Sequence, residues 1–242
     1  MRVYSGSDIG LMRNSNQDYC KTGIFSDDAA WAVVCDGMGG ANGGCTASSL
    51  AAETISGILT EKYRSDMTSI QIRELMENAV REGNKRVYEA SCDDPSLHGM
   101  GTTVVCAVAM ESKLHIVHAG DSRAYLFENG NLRRITTDHS IVQELVNAGQ
   151  LTEEQAMNHP NRNIITRALG IRPSLATDYN TEDFWPGEQL IICTDGLSGY
   201  FSDESLCKLV RSSGGNELVN KLIEAAKAHG GSDNITVAVI AC

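Results

Sequence analysis

Short apolar runs alternate along the chain with longer stretches in which apolar residues recur every three or four positions. The runs at Cys20–Phe25 and Ala29–Cys35 (AAWAVVC) read as strands. Two helices are predicted next. Cys45–Tyr63 carries Leu50, Ile55, Ile58 and Leu59 near helical spacing, and Ser69–Ala90 carries a 3.6-residue stripe of Ile72, Leu75, Met76, Ala79, Val80 and Val87. A block of strands follows at Thr102–Met110, Lys113–His118 and Arg123–Phe127. The tight links around Glu111-Ser112 and Gly120-Asp121 predict antiparallel hairpins, and Asn129-Gly130 marks a further turn.

The pattern changes between Thr136 and Pro173. A short helix is predicted at Ser140–Asn147, ended by Gly149, and Thr152-x-x-Gln155 has the form of a capping box opening another. The polar run HPNRN follows, so 136–173 reads as an inserted subdomain of the kind in which mobile functional loops sit. Strands return at Ala176–Thr181 and Gln189–Cys193, helices at Asp203–Ser212 and Glu217–Ala228, and a last strand at Asn234–Ala241. Regular βαβα alternation is missing, which argues against a doubly wound parallel sheet. Helices in consecutive pairs with mostly antiparallel strands predict an α+β fold. The expected form is a four-layer α-β-β-α sandwich, two sheets face to face with one helix pair on each outer face.

Composition narrows the function. The length of 242 residues suits one domain over residues 1–242, and 42% hydrophobic residues exclude a disordered chain. Acidic residues outnumber basic ones by 31 to 20, a net charge of −11, which speaks against nucleic-acid binding and electrostatic membrane anchoring. The opening MRVYSGSDIG has no signal-peptide pattern, and the longest nearly apolar run, Val104–Met110, is far short of a membrane span. The eight cysteines form no C-x-x-C pair, so a cysteine zinc site is not expected, and reduced thiols in a cytoplasmic protein are.

Three aspartates share an unusual setting. Asp36 follows the apolar strand WAVVC and precedes Gly37-Met38-Gly39-Gly40; Asp195 follows LIICT and precedes Gly196; Asp233 follows Gly230-Gly231-Ser232 and precedes the last strand. Asp121 lies in the turn after LHIVHAG. Any one Asp-Gly pair is equally well a turn. Taken together, strand-end carboxylates that converge would repel one another unless cations sat between them, and hard oxygen donors suit Mg²⁺ or Mn²⁺ over zinc.

The ordered series DGMGGANGG (36–44), GTT (101–103), AGDSRAY (119–125), TDHS (137–140), CTDGLSG (193–199) and GGSDNITV (230–237) resembles the metal-dependent protein phosphatases, the PPM or type 2C family, in its compact bacterial form. GLMRNSNQD (10–18) is similar to that family's opening motif. The resemblance implies a serine/threonine protein phosphatase with a dinuclear metal centre at one end of the sandwich. Asp36 would bridge two Mn²⁺ or Mg²⁺ ions, the Gly37 carbonyl would bind one of them, and Asp195 and Asp233 would complete the ligand set. Asp121, with Asp195, would hold a third, weaker ion; Asp18 would accept hydrogen bonds from metal-bound water; Arg13 would hold the substrate phosphate. Taken alone, Arg13 is a surface arginine. Two adjacent cations lower the pKa of a bridging water to give a nucleophile at neutral pH, and a guanidinium matches phosphate geometry. The segment 136–173 would be a flap beside the site.

Two positions depart from the family pattern. Gln17 stands where members often carry Glu, and Met38 where eukaryotic members carry a histidine proposed as general acid; a thioether has no proton to give. His139 is expected to cap a helix or lie on the surface, and no role is assigned to His115 or His118. The implied partners are phosphoserine and phosphothreonine proteins and a cognate serine/threonine kinase, with the phosphatase a monomer. Two other readings compete. A catalytically retired phosphatase fold that binds phosphoproteins should have lost a ligand, yet Asp36, Asp195 and Asp233 are all present. A carboxylate-pair glycosidase needs an aromatic sugar platform, against 5% aromatic residues.

Overall fold

The computed structural model describes residues 1–242 except the side chains of Ala41 and Asn42, so that part of the glycine-rich 36–44 motif lies outside the described residues. The fold is the expected α+β sandwich. One sheet runs, in spatial order, β1 (Arg2–Asp8), β11 (Ile235–Ala241), β10 (Gln189–Cys193), β7 (Arg123–Glu128) and β8 (Asn131–Arg134). The other runs β2 (Asp18–Ser26), β3 (Ala29–Met38), β5 (Val104–Met110), β6 (Lys113–Ala119) and β9 (Asp178–Asp183), with the two-residue β4 (Gly101–Thr102) pairing the end of β3. Every pairing is antiparallel.

Period-two alternation explains why the central strands read as unbroken apolar runs. Along β3, Ala30, Ala32 and Val34 face the other sheet, while Trp31, Val33 and Cys35 face α1 (Gly40–Lys62) and α2 (Ser69–Asp93). Along β11, Ala238 and Ile240 point between the sheets, and Val237 and Val239 pack under α6 (Asp203–Val210) and α7 (Gly215–Ala228). Both faces of each central strand are covered, so neither can be polar. Three apolar layers result, one between the sheets and one under each helix pair.

Some boundaries differ from the sequence reading. The stretch Arg2–Asp8 forms β1, paired along its length with β11. Helix α1 starts five residues early, at Gly40, with Gly39 before it at φ +115°. The Gly120-Asp121 link is not a hairpin: β6 and β7 belong to opposite sheets, so the chain crosses the sandwich there. Asn129-Gly130, both at positive φ, does close the β7–β8 hairpin. Segment 136–173 contains α3 (Ile141–Asn147), with Ser140 as its cap, and α4 (Glu153–Met157), opened by the Thr152–Gln155 box. Its ends are tied together where Thr166 N donates to the His139 carbonyl and Ile141 N to that of Ile164. Among the described residues no helix is long and apolar enough to cross a membrane. All eight cysteines are unpaired.

Candidate active site

Topology brings the expected carboxylates to one end of the sandwich. Asp18 opens β2 directly opposite Asp36 near the end of β3. Strands β10 and β11 are antiparallel neighbours, so Asp195, just after β10, and Asp233, just before β11, meet. Asp121 arrives on the link that crosses from β6 to β7. Asp36, Asp121, Asp195 and Asp233 line one cleft together with Arg13 and Gly37, and all four carboxylates are half-buried. Asp18 lies beneath them, 7% exposed.

A set of hydroxyls and backbone contacts fixes these groups. The Asp36 backbone is held on both sides: its N–H donates to Thr103 Oγ1 (3.0 Å), and its carbonyl accepts from Thr102 Oγ1 and Thr103 N (2.8 Å each). Thr103 Oγ1 also meets Ser122 Oγ at 2.7 Å, which ties β3 to the Asp121 turn. Thr194 Oγ1 donates to Asp18 Oδ2 (2.8 Å) and accepts from Thr236 N (3.0 Å). The side chain of Asn234 accepts from Gln17 N (2.8 Å) and donates to the carbonyls of Ile9 and Ser15, clamping the loop that carries Arg13. The Asn234 backbone N–H donates to Asp233 Oδ1 at 2.8 Å. Gly37 is required by space, because a Cβ there would strike the carbonyl oxygens of Gly44 and Gln17.

The electrostatics are those of a site short of positive charge. Burial, then the neighbouring Asp18, Asp195, Asp121 and Asp233, pushes the Asp36 carboxyl well above the ordinary range. Burial and Asp195 do the same to Asp121. Asp195 is raised by burial and Asp233, although it lies within hydrogen-bonding reach of Asp36. Burial raises Asp18 to about 7 against the opposing hydroxyls of Thr194 and Thr236. Among the described residues one cation touches the cluster: Arg13 donates to Asp233 Oδ2 at 2.7 Å, so in this structure it faces a carboxylate where the resemblance implied a phosphate. Five carboxylates, no histidine or thiol, and mutual repulsion suit hard divalent cations.

A second titratable cluster lies at the root of segment 136–173. His118, His139 and Asp178 bring one ligand-type atom each within 4.8 Å of one another. The sequence reading assigned His118 nothing and set His139 at a cap or on the surface; both are buried, and their rings stack at 4.7 Å. The hydrogen bonds argue against a metal here. His139 Nδ1 accepts from Gly120 N (3.2 Å), and Nε2 already meets both Asp178 Oδ2 (3.2 Å) and Arg167 Nη1 (3.1 Å), so both of its ring nitrogens are engaged within the protein. Arg167 adds a cation, donating to Asp178 Oδ1 at 2.7 Å. Thr194, Thr236 and Asp138, the last gripping Arg123 through two oxygens, were missed in the sequence. Thr194 had a signal in its place immediately before Asp195; Asp138 had none beyond the TDHS run.

Comparison with known proteins agrees with this geometry. A family model described as protein phosphatase 2C matches residues 13–233. The serine/threonine phosphatase stp of Listeria monocytogenes serotype 4b (strain F2365) is 35% identical over 237 residues, covering 97% of this chain and 93% of that protein. The structure of the S. agalactiae serine/threonine phosphatase superposes with a TM-score of 0.91 at 31% identity, over 100% of this chain and 99% of that one. The catalytic domain of the serine/threonine protein phosphatase PstP, crystallised with two manganese ions, gives a TM-score of 0.86 at 33% identity, over 98% and 96% of the two chains. With the motifs in order, the sandwich formed and the carboxylates gathered at one end, the chain belongs to the protein phosphatase 2C family.

Proposed function

We infer that this chain is a metal-dependent serine/threonine protein phosphatase that hydrolyses phosphoserine and phosphothreonine in protein substrates. The observation that carries the reading is the convergence of Asp36, Asp195 and Asp233 from three separate strand ends into one cleft, backed by Asp18 and Asp121. Asp36, the Gly37 carbonyl, Asp195 and Asp233 would hold two divalent ions, Mn²⁺ or Mg²⁺, and Asp121 with Asp195 a third. When bound, such ions supply a water nucleophile at neutral pH and neutralise charge on the phosphoryl oxygens.

The protein's own residues account for positioning. Threonine hydroxyls and backbone contacts lock Asp36 and Asp18, so the donor set is preorganised. The Arg13 guanidinium, half-exposed on a loop clamped by Asn234, offers paired donors to a phosphate once it leaves Asp233. Met38 lines the cleft but has no proton to give, so this side chain is not the leaving group's acid. Segment 136–173 contributes Asn163 and Ile165 to the cleft wall, which supports its reading as a flap. The proposal extends to a monomer in the cytoplasm that reverses the work of a serine/threonine kinase.

The retired-fold reading is not favoured, because no expected ligand is missing. The test is phosphate release from a phosphothreonine peptide with Mn²⁺, with and without excess chelator, paired with calorimetry of Mn²⁺ binding. Turnover that survives chelation, or no heat of binding, would refute the proposal.

A further inference from the structure

We propose that a groove beside the cleft binds the chain flanking the phosphorylated residue and selects for an acidic side chain there, through Arg172. This rests on the phosphatase reading and deepens it. Met38 and Ile165 line both the cleft and the groove, so the two are continuous, and a peptide with its phosphate over the carboxylates passes across these side chains. Ile171 and Leu175 add apolar wall, and among the described residues Arg167 and Arg172 are the only charged ones lining the groove. Arg167 is matched by Asp178. The exposed Arg172 guanidinium has no ion-pair or hydrogen-bond partner among the described residues. In a chain of net charge −11, with a cleft full of carboxylates, an unmatched arginine in an apolar groove gives that groove the opposite preference to its surroundings.

The groove is built rather than incidental. Buried Asn84 of α2 holds the loop that carries Arg172 at three points: its amide nitrogen donates to the Arg172 and Pro173 carbonyls (3.1 and 3.2 Å), and its oxygen accepts from Gly170 N (2.9 Å). Gly170 sits at φ +84° against Val87, where a Cβ would collide. Ile171 packs over Gly101, whose strand pairs with Gly37 and Met38 beside the metal ligands. The Arg172 backbone is thus held at a fixed place relative to Gly37 and Met38 at the cleft, as a specificity contact needs.

The test uses the full chain with Mn²⁺ and a phosphothreonine peptide in which one Glu, Gln or Lys is stepped through the positions on either side of the phosphorylated residue. The expected result is a preference of about fivefold in kcat/KM for Glu over Lys at one or two positions on one side only. Arg172→Ala levels that preference and Arg172→Glu inverts it, while all three proteins turn over p-nitrophenyl phosphate alike. A wild-type enzyme indifferent to these charges, or one whose preference survives in Arg172→Glu, overturns the proposal. If no substrate is hydrolysed, the phosphatase reading falls. The groove is then judged by fluorescence anisotropy of the same labelled peptides: binding in the order Glu, Gln, Lys that is lost in Arg172→Glu supports it, and no such order overturns it.

Discussion

Two clusters of titratable side chains lie a few residues apart in this molecule and have opposite characters. At the sandwich end, Asp18, Asp36, Asp121, Asp195 and Asp233 crowd together, with Arg13 the only cation in contact among the described residues. On the neighbouring β6–β9 face, His115 bonds Tyr179 OH (2.7 Å), His118 bonds the Thr137 carbonyl (3.0 Å), and His139 and Arg167 close on Asp178. By ligand type and spacing alone, the histidine cluster is the better metal candidate. Charge balance decides the other way. Asp178, against the burial that would raise it, is held below the ordinary carboxylate range by Arg167 and His139, whereas Asp36, Asp121 and Asp195 are pushed up by burial and one another. A cluster whose charge is matched from within is scaffold, and one whose charge is not is a site for something from outside.

The sharpest way to break this contrast is to remove one member from each cluster and measure turnover. Asp36→Asn keeps the shape and the Thr102 and Thr103 contacts to the backbone but removes a charge from the centre of the site. Phosphopeptide kcat should fall by about 10³-fold, roughly 4 kcal/mol of transition-state stabilisation. Asp178→Asn should leave kcat within a few-fold. Comparable losses from both would erase the distinction.

Cation binding gives the second contrast. Ions that bind only the folded state stabilise it by mass action, about 4 kcal/mol at a thousandfold excess over Kd. Thermal melts of the wild type should therefore rise steeply with Mn²⁺. Melts of Asp36→Asn should barely respond, while those of His139→Ala should respond as the wild type does. A Mn²⁺ response abolished by His139→Ala would make the histidine cluster the ion site after all.

Sequence and structure agree where one local rule governs. The Thr152–Gln155 capping box forms as its spacing predicts, and the apolar run at 29–35 becomes the central strand β3. The strand-end aspartates were legible because an apolar run followed by Asp-Gly marks both a strand end and a close backbone approach. What the sequence hid depends on partners far along the chain. Strand β1 is an edge strand, half-exposed, with Gly6 packed against Val219, so its own alternation is weak and its pairing with β11 defines it. Helix α1 begins among glycines that disfavour helix, because that turn must lie close to Gly37 and Gln17. The Gly120-Asp121 link looked like a hairpin because tight turns and sheet crossings use the same residues. Charge matching, which separates the two clusters, is visible only once Arg167 is seen on Asp178 and Arg13 on Asp233.

The two clusters should also respond to pH with opposite sign. Burial lowers His115 from the ordinary 6.5 to about 4. Between those values the unfolded chain takes a proton that the folded chain refuses, so the stability is present above about pH 6.5 and lost as pH falls toward 4, by about 2–3 kcal/mol. Burial lowers His118 and His139 in the same direction. In the carboxylate cluster the shift is upward: Asp18 goes from 3.8 to about 7. With ions removed by chelator, that group favours folding most below about pH 4, and its contribution is lost as pH rises through 7. Urea midpoints across pH 4 to 8 should therefore show an alkaline loss in chelator that saturating Mn²⁺ abolishes. The acid-side loss should persist in both conditions and shrink in His115→Gln. An acid-side loss that vanished with Mn²⁺ would assign it to the carboxylates instead.

The smallest effect tests whether His139 is scaffold alone. Its ring accepts the Gly120 N–H, faces Asp178 and stacks on His118, while its backbone joins both ends of segment 136–173 to the Gly120–Asp121 link. His139→Ala removes the ring and leaves those backbone bonds, so the loss is one hydrogen bond to a buried N–H, one partly exposed carboxylate contact and the packing against His118, about 2–3 kcal/mol in urea unfolding. Because Thr103 and Ser122 still tie the Asp121 turn to β3, Mn²⁺ affinity measured by calorimetry should stay within a few-fold of wild type. His139→Asn, whose side-chain oxygen can accept the same N–H, should recover part of the stability. If His139→Ala instead cost the protein its ions while its unfolding midpoint held, the ring would be acting on the carboxylate site, and the two clusters would be one.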